Sequence, residues 1–113
     1  MGIRRELRLK RSEDFARVRR EGQVVRHRLM LLSSAPNAVG HNRYGIITGK
    51  RIGPAVTRNR VRRLLREALR HQHPGLRAGH DVVIIAHPAI AAVRAQTIHE
   101  VVVTLLRQAG LQA

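Results

Sequence analysis

The chain has 113 residues, with 22 basic against 7 acidic side chains and a formal net charge of +15. That length suits one domain, residues 1–113, able to bury roughly two-thirds of its unfolded surface. The lack of cysteine excludes disulfides, zinc ribbons and thiol catalysis. No stretch approaches the ~20 apolar residues of a membrane span, so no membrane role and a cytoplasmic setting are expected.

Twenty of the basic residues are arginine. Its guanidinium is a rigid fork of donors matched to phosphate, with a flat face that stacks on bases. An excess of this size repels itself in the compact state and is usually kept for a polyanionic partner. The charge is also uneven: beyond residue 70 only Arg77, Arg94 and Arg107 remain. The basic segments lack the exposed Trp or Phe anchors of a membrane-surface helix.

In chain order, residues 1–11 read as a basic, mobile lead-in. Ser12-Glu13-Asp14-Phe15 reads as a helix start, with Ser12 as the cap and two acids at the positive end of the dipole. Phe15 and Val18 face inward, and Gly22 is the stop. Val24-Val25 and Leu29 to Leu32 are strand material. Ala35-Pro36-Asn37 and Gly40-His41-Asn42 mark a loop. Tyr44 to Thr48 is a further strand, and Gly49 to Pro54 a loop. A helix follows from about Thr57 to Arg70, stopped by His73-Pro74-Gly75. Asp81 to Ala86 is an apolar run that suits a strand covered on both faces. Ile98, Val101, Val102, Leu105, Leu106 and Ala109 repeat with helical period. The expected class is α/β, a mixed sheet packed with helices, in the order helix, two or three strands, basic helix, strand, helix. The strand–helix–strand passage predicts a parallel crossover.

The segment TRNRVRRLLREALR concentrates six arginines and one acid in fourteen residues. Val61, Leu64, Leu65, Ala68 and Leu69 form one apolar stripe. Asn59, Arg62, Arg63, Arg66 and Arg70 project from the other side. Like charges four apart destabilise a helix by a few tenths of a kcal/mol per pair. Glu67 can relieve Arg63, but nothing local answers the rest. A phosphate backbone turns that repulsion into binding. RNA is favoured over DNA, because nothing reads as a two-helix DNA reader.

These residues resemble a known signature. Gly49-Lys50-Arg51-Ile52-Gly53, Ala55-Val56 and Arg58-Asn59-Arg60-Val61-Arg62-Arg63-Leu64-Leu65-Arg66-Glu67 are similar to the bacterial ribonuclease P protein family. Arg8-Leu9-Lys10-Arg11, Asp14-Phe15 and Gly22 resemble its first helix, and Asp81 to Ala86 its last strand. The resemblance implies a protein that binds a catalytic RNA, the two together removing the 5′ leader of precursor tRNA. It implies that the RNA holds the catalytic magnesium and that the protein alone does not cut. RNA docking would fall to Lys50, Arg51, Arg58, Asn59, Arg60, Arg62, Arg63 and Arg66. The leader would lie along Arg11, Phe15, Arg19 and Leu31. The family often has aromatics where this chain has Arg19, Met30 and Ser33, so stacking would rest on Phe15, helped by the Arg19 plane. Pro54 stands for a frequent asparagine and Gly49 for a frequent serine. The resemblance implies a mixed four-stranded sheet in the order α-β-β-β-α-β-α with a left-handed crossover, against the roughly 98% of such units that are right-handed. No obligate protein partner is implied.

Two rival readings compete. Two-metal nuclease chemistry needs clustered carboxylates, and only Glu13 and Asp14 are adjacent. A ribosomal component or RNA chaperone would share the charge without needing the spacing from Arg58 to Glu67. The histidines offer no metal pattern, since His71 and His73 are two apart on a helix end.

Overall fold

A computed structural model describes residues 3–113. Helix α1 (Ser12–Glu21) precedes strands β1 (Gln23–Arg26), β2 (Met30–Pro36) and β3 (Arg43–Ile47). Helix α2 (Ala55–Gln72) joins β3 to β4 (His80–Ala86), and α3 (Ala95–Gln108) closes the chain. The order is the expected α-β-β-β-α-β-α. The sheet runs β1-β2-β4-β3. Strand β4 is antiparallel to β2 and parallel to β3, so β3–α2–β4 is the expected crossover.

The central place of β4 follows from its sequence. Val82, Val83 and Ile84 are all fully buried, as an apolar run covered on both faces requires. Side chains alternate between faces along each strand. Met30, Leu32, Tyr44, Val82 and Ile84 share one face, packed by Val61, Leu65 and Leu69 of α2 and by Ile98, Val102 and Leu105 of α3. This is the main core. Helix α1 crosses only part of the other face, where Val18 packs with Leu9, Ala35 and Val83. Leu31, Ile47 and Ile85 stay half-exposed beside it.

A buried carboxylate ties α1 to the sheet. Asp81 is fully buried at the start of β4. It accepts from Arg43 Nε and Nη2 at 2.9 and 2.8 Å, from Asn37 Nδ2 at 2.9 Å and from Arg17 Nη2 of α1. Burial alone would raise its pKa. The Arg43 and Asn37 hydrogen bonds and the two guanidinium charges outweigh that and hold it below its ordinary value.

Several expectations change. Residues 3–11 are not a mobile lead-in. Ile3, Leu7 and Leu9 are buried, and the Leu9 amide donates to Tyr44 O at 2.8 Å, so apolar spacing pins this basic segment to β3. Residues 1 and 2 lie outside the described residues. Ser12 does not cap α1. The Asp14 and Phe15 amides both bond to Arg11 O, which makes Arg11 the cap residue and Ser12 helical. Gly22 follows α1 with an extended φ of −76°, so no left-handed stop is made. Its need is space: a Cβ there would lie 2.3 Å from Val18 O and 2.8 Å from Ser34 O. Ala35 and Pro36 extend β2 rather than starting the loop; Pro36, which has no N–H to give, sits at the strand's exposed end. Helix α2 begins at Ala55, two residues early, because Pro54 accepts the first helical bond from the Arg58 amide. Gly53, at φ +145°, makes the reversal before it, a conformation that favours glycine.

Candidate nucleic-acid interface

The apolar stripe of α2 is committed to the core, so its arginines divide between the two flanks and the outer surface. Arg58, Arg62 and Arg66 follow at i, i+4 and i+8 down the flank nearer β3. Arg62 Nη1 donates to Thr48 Oγ1 at 2.6 Å, and its other terminal nitrogen donates to Asn59 Oδ1. Arg58 Nη1 donates to Gly53 O at 3.2 Å, which ties the helix start to the preceding loop. Arg60 leans to the opposite flank, donating to Val93 O at 3.3 Å. Asn59 and Arg63 face solvent, as do Lys50 and Arg51 in the short 3-10 turn before the helix.

Glu67 does not relieve Arg63. It accepts from Arg70 Nε and Nη2 at 3.2 and 2.5 Å, and His71 Nε2 lies 3.8 Å away. The Arg70 hydrogen bonds pull the Glu67 pKa down to about 2. Among the described residues, Arg58, Arg60, Arg62, Arg63 and Arg66 have no carboxylate within ion-pair distance. Their charge is left for something outside the chain.

On the open sheet face, Arg11, Phe15 and Arg19 recur at i, i+4 and i+8 along one side of α1. Arg19 lines a groove of about 180 Å³ with Leu31, Val24, Arg26, Ser33 and Ile85. Arg11 is exposed and pairs with Glu13 at 2.7 Å. The structure therefore brings Arg19 and Leu31 together and sets Arg11 at the far end of the same helix side. Met30 is fully buried on the opposite face, so its departure from the family pattern bears on the core and not on the groove. Ser33 donates to Val18 O at 3.1 Å, which fastens α1 to β2.

The two regions meet at Phe15. A cavity of about 380 Å³ is lined by Arg8, Lys10, Phe15, Gly45, Ile46 and Arg66, among others. Burial first, then the charges of Arg8 and Arg62, hold the Arg66 pKa below its ordinary value. Three cations converge here beside the Phe15 ring, with no carboxylate among the lining residues. The chemistry of guanidinium forks beside a ring matches a phosphate and a stacked base. Arg8 and Lys10 were not among the site residues expected from sequence. The signal was present in Arg8-Leu9-Lys10: buried Leu9 fixes the strand-like segment, and its neighbours emerge on the rim.

The histidines do other work. The Tyr44 hydroxyl is hydrogen-bonded to His73 Nδ1 at 2.7 Å and accepts from Asn42 Nδ2 at 3.3 Å. His71 meets His99 edge to face at 5.8 Å. Among the described residues, no group of three or more His, Cys, Asp or Glu is placed to hold a metal ion. None of their helices is long and apolar enough to cross a membrane.

A cationic helix set against a grooved, half-open α/β sheet defines a class of small basic protein built for a polyanion. Comparison with known proteins narrows the class. The family model described as Ribonuclease P matches residues 3–110. The ribonuclease P protein component of Roseiflexus sp. strain RS-1 is 40% identical over 110 residues, covering 96% of this chain and 90% of that protein. That of Caldanaerobacter subterraneus is 39% identical over 103 residues, covering 91% and 89%. Among solved structures, the Staphylococcus aureus RNase P protein superposes with a TM-score of 0.89 at 26% identity, covering 95% of this chain and 98% of that one. The Thermotoga maritima RNase P protein gives 0.81 at 26% identity, covering 89% and 96%.

This chain belongs to the ribonuclease P protein family. Its relatives are the protein component of a ribonucleoprotein endoribonuclease, and 5′ processing of tRNA is the role of that family.

Proposed function

We propose that this chain docks on the catalytic RNA of ribonuclease P and steers the 5′ leader of precursor tRNA. Lys50, Arg51, Arg58, Asn59, Arg60, Arg62, Arg63 and Arg66 engage phosphates of the catalytic RNA. Arg11, Phe15, Arg19 and Leu31 line the path of the single-stranded leader, with Arg8 and Lys10 added at its Phe15 end. The observation that carries this reading is the run of five α2 arginines with no carboxylate partner among the described residues. Its second support is the groove that meets them at Phe15 and Arg66.

Magnesium supplies the charge stabilisation of phosphodiester cleavage. It is a hard cation that takes oxygen ligands. Glu13 is paired with Arg11, and Asp14 lies 3.8 Å from Arg43. Among the described residues no carboxylates are grouped to hold a magnesium ion, and we place the ion on the RNA. The protein's part is to hold two polyanions together.

The test is cleavage of precursor tRNA at low magnesium by the catalytic RNA of the same genome, the protein, or both. Efficient cutting by the mixture alone is expected. A protein that adds nothing would return the chain to general RNA binding. Cutting by the protein alone would place a catalytic site where none is proposed.

A further inference from the structure

The first turn of α2 presents carbon where its surroundings present charge. Pro54, Ala55 and Val56 are all exposed. Val56 is 76% exposed, well above Val39 at 47% and Val24 at 38%. It does not belong to the core stripe. At 3.6 residues per turn, nine residues separate Val56 from Leu65 by half a revolution. Nor does a capping interaction explain it, since no side chain caps this end.

What surrounds Val56 is cationic and polar. Lys50 and Arg51 precede it, Asn59, Arg60 and Arg63 share its side of the helix at i+3, i+4 and i+7, and the first turn holds no acid. A small apolar centre inside a polar rim is the build of an interface, with the rim excluding water from the contact. The sign of the rim selects the partner. Phosphates satisfy these cations, and between neighbouring phosphates RNA offers sugar and base faces in a wide, shallow minor groove or an unstacked loop.

We infer that Val56 is a non-electrostatic anchor for RNA: its isopropyl group packs on a ribose or base face while Lys50, Arg51 and Arg63 hold the flanking phosphates. The inference rests on the proposed docking of α2 on the catalytic RNA. It adds a component of binding that salt does not screen.

Salt separates the two components. The probe is the ribonuclease P catalytic RNA of the same genome, titrated with protein at several salt concentrations. Val56→Ser should weaken binding by roughly five- to tenfold. The factor should be the same at every salt concentration, with the slope of log affinity against log salt unchanged. Val56→Ile should bind as tightly as the unaltered protein, and both variants should melt normally. Arg58→Ala, run alongside, should flatten the slope. If Val56→Ser binds normally while Arg58→Ala does not, the anchor is overturned and the docking stands. A Val56→Ser loss that fades with salt would also overturn it. If neither variant changes affinity, the docking reading falls first.

Discussion

The ring of Phe15 occupies the place where residue 45 would carry a side chain. A Cβ built on Gly45 would come 2.4 Å from Phe15 Cε1 and 2.5 Å from Cζ. The glycine in β3 thus sets how low the ring of α1 lies on the sheet, and with it the floor of the cavity that Phe15 shares with Arg8, Lys10 and Arg66. Gly45→Ala must lift or tilt that ring. A stability loss of about 1–3 kcal/mol is expected from the overpacking. Phe15→Ala should weaken binding of leader-bearing precursor while leaving mature tRNA alone, and Gly45→Ala should do the same in smaller measure. Binding of both tRNAs to the assembled ribonucleoprotein decides this. Equal losses for both would remove Phe15 from the leader path.

Arg43 and Asp81 predict an asymmetric pair of mutants. Arg43→Ala leaves a fully buried carboxylate with half its hydrogen bonds, and should cost about 3–5 kcal/mol. Asp81→Asn removes the buried charge itself and should cost less. The acid limb should differ too. The folded Asp81 pKa lies below its ordinary 3.8, so its stabilisation is present above that pH and is lost as pH falls through the folded value. Urea unfolding at a series of acidic pH values should show a shallower decline in Asp81→Asn. Parallel curves would mean that other carboxylates control acid unfolding.

Tyr44 and His73 give a second pH dependence at milder acidity. Burial first, then Arg4 and His41, lower the His73 pKa from its ordinary 6.5. Burial raises that of Tyr44 to about 12, so the phenol remains a donor throughout. The unfolded chain binds the His73 proton more readily than the folded one. Stability is therefore full above about 6.5 and falls as the medium is acidified toward the folded value. Tyr44→Phe should lose about 1 kcal/mol at neutral pH, the worth of its hydrogen bond. Its stability should decline on acidification about as steeply as that of the unaltered protein, because burial, Arg4 and His41 set the His73 shift. A shallower slope in Tyr44→Phe would show that the tyrosine, and not burial, controls the His73 titration.

Arg58 and Arg60 leave α2 on different flanks, so RNA that contacts both must wrap the helix. Replacing both with Ala should weaken binding of the catalytic RNA and reduce the salt slope by about 1–2. Titrations at several salt concentrations measure it. An unchanged slope would show that neither side chain meets a phosphate.

Much of this was legible from side-chain pattern. The stripe from Val61 to Leu69 placed α2, and the apolar run of β4 placed the central strand, because burial on one or both faces writes itself as a period. Arg-Asn-Arg followed by Arg-Arg-Leu-Leu-Arg identified the family, and that identification carried Phe15 and Leu31 into the reading. The lead-in was misread because its three apolar residues are scattered among cations, and only a docking surface on β3 reveals their purpose. Ser12 has the chemistry of a cap, but the chain turns into the helix one residue sooner. Residue type alone cannot show which carbonyl receives the first bond.

The sequence by itself determined the charge, its concentration before residue 71, the number and order of elements, and membership of the family. These depend on composition and local period, which need no partner in space. Only the tertiary structure decided how the arginines divide between the flanks of α2 and which of them Glu67 meets. It also brought Arg8 and Lys10 to Arg66 across Phe15. Those facts depend on contacts between residues distant in the chain, and a local pattern holds no record of distance.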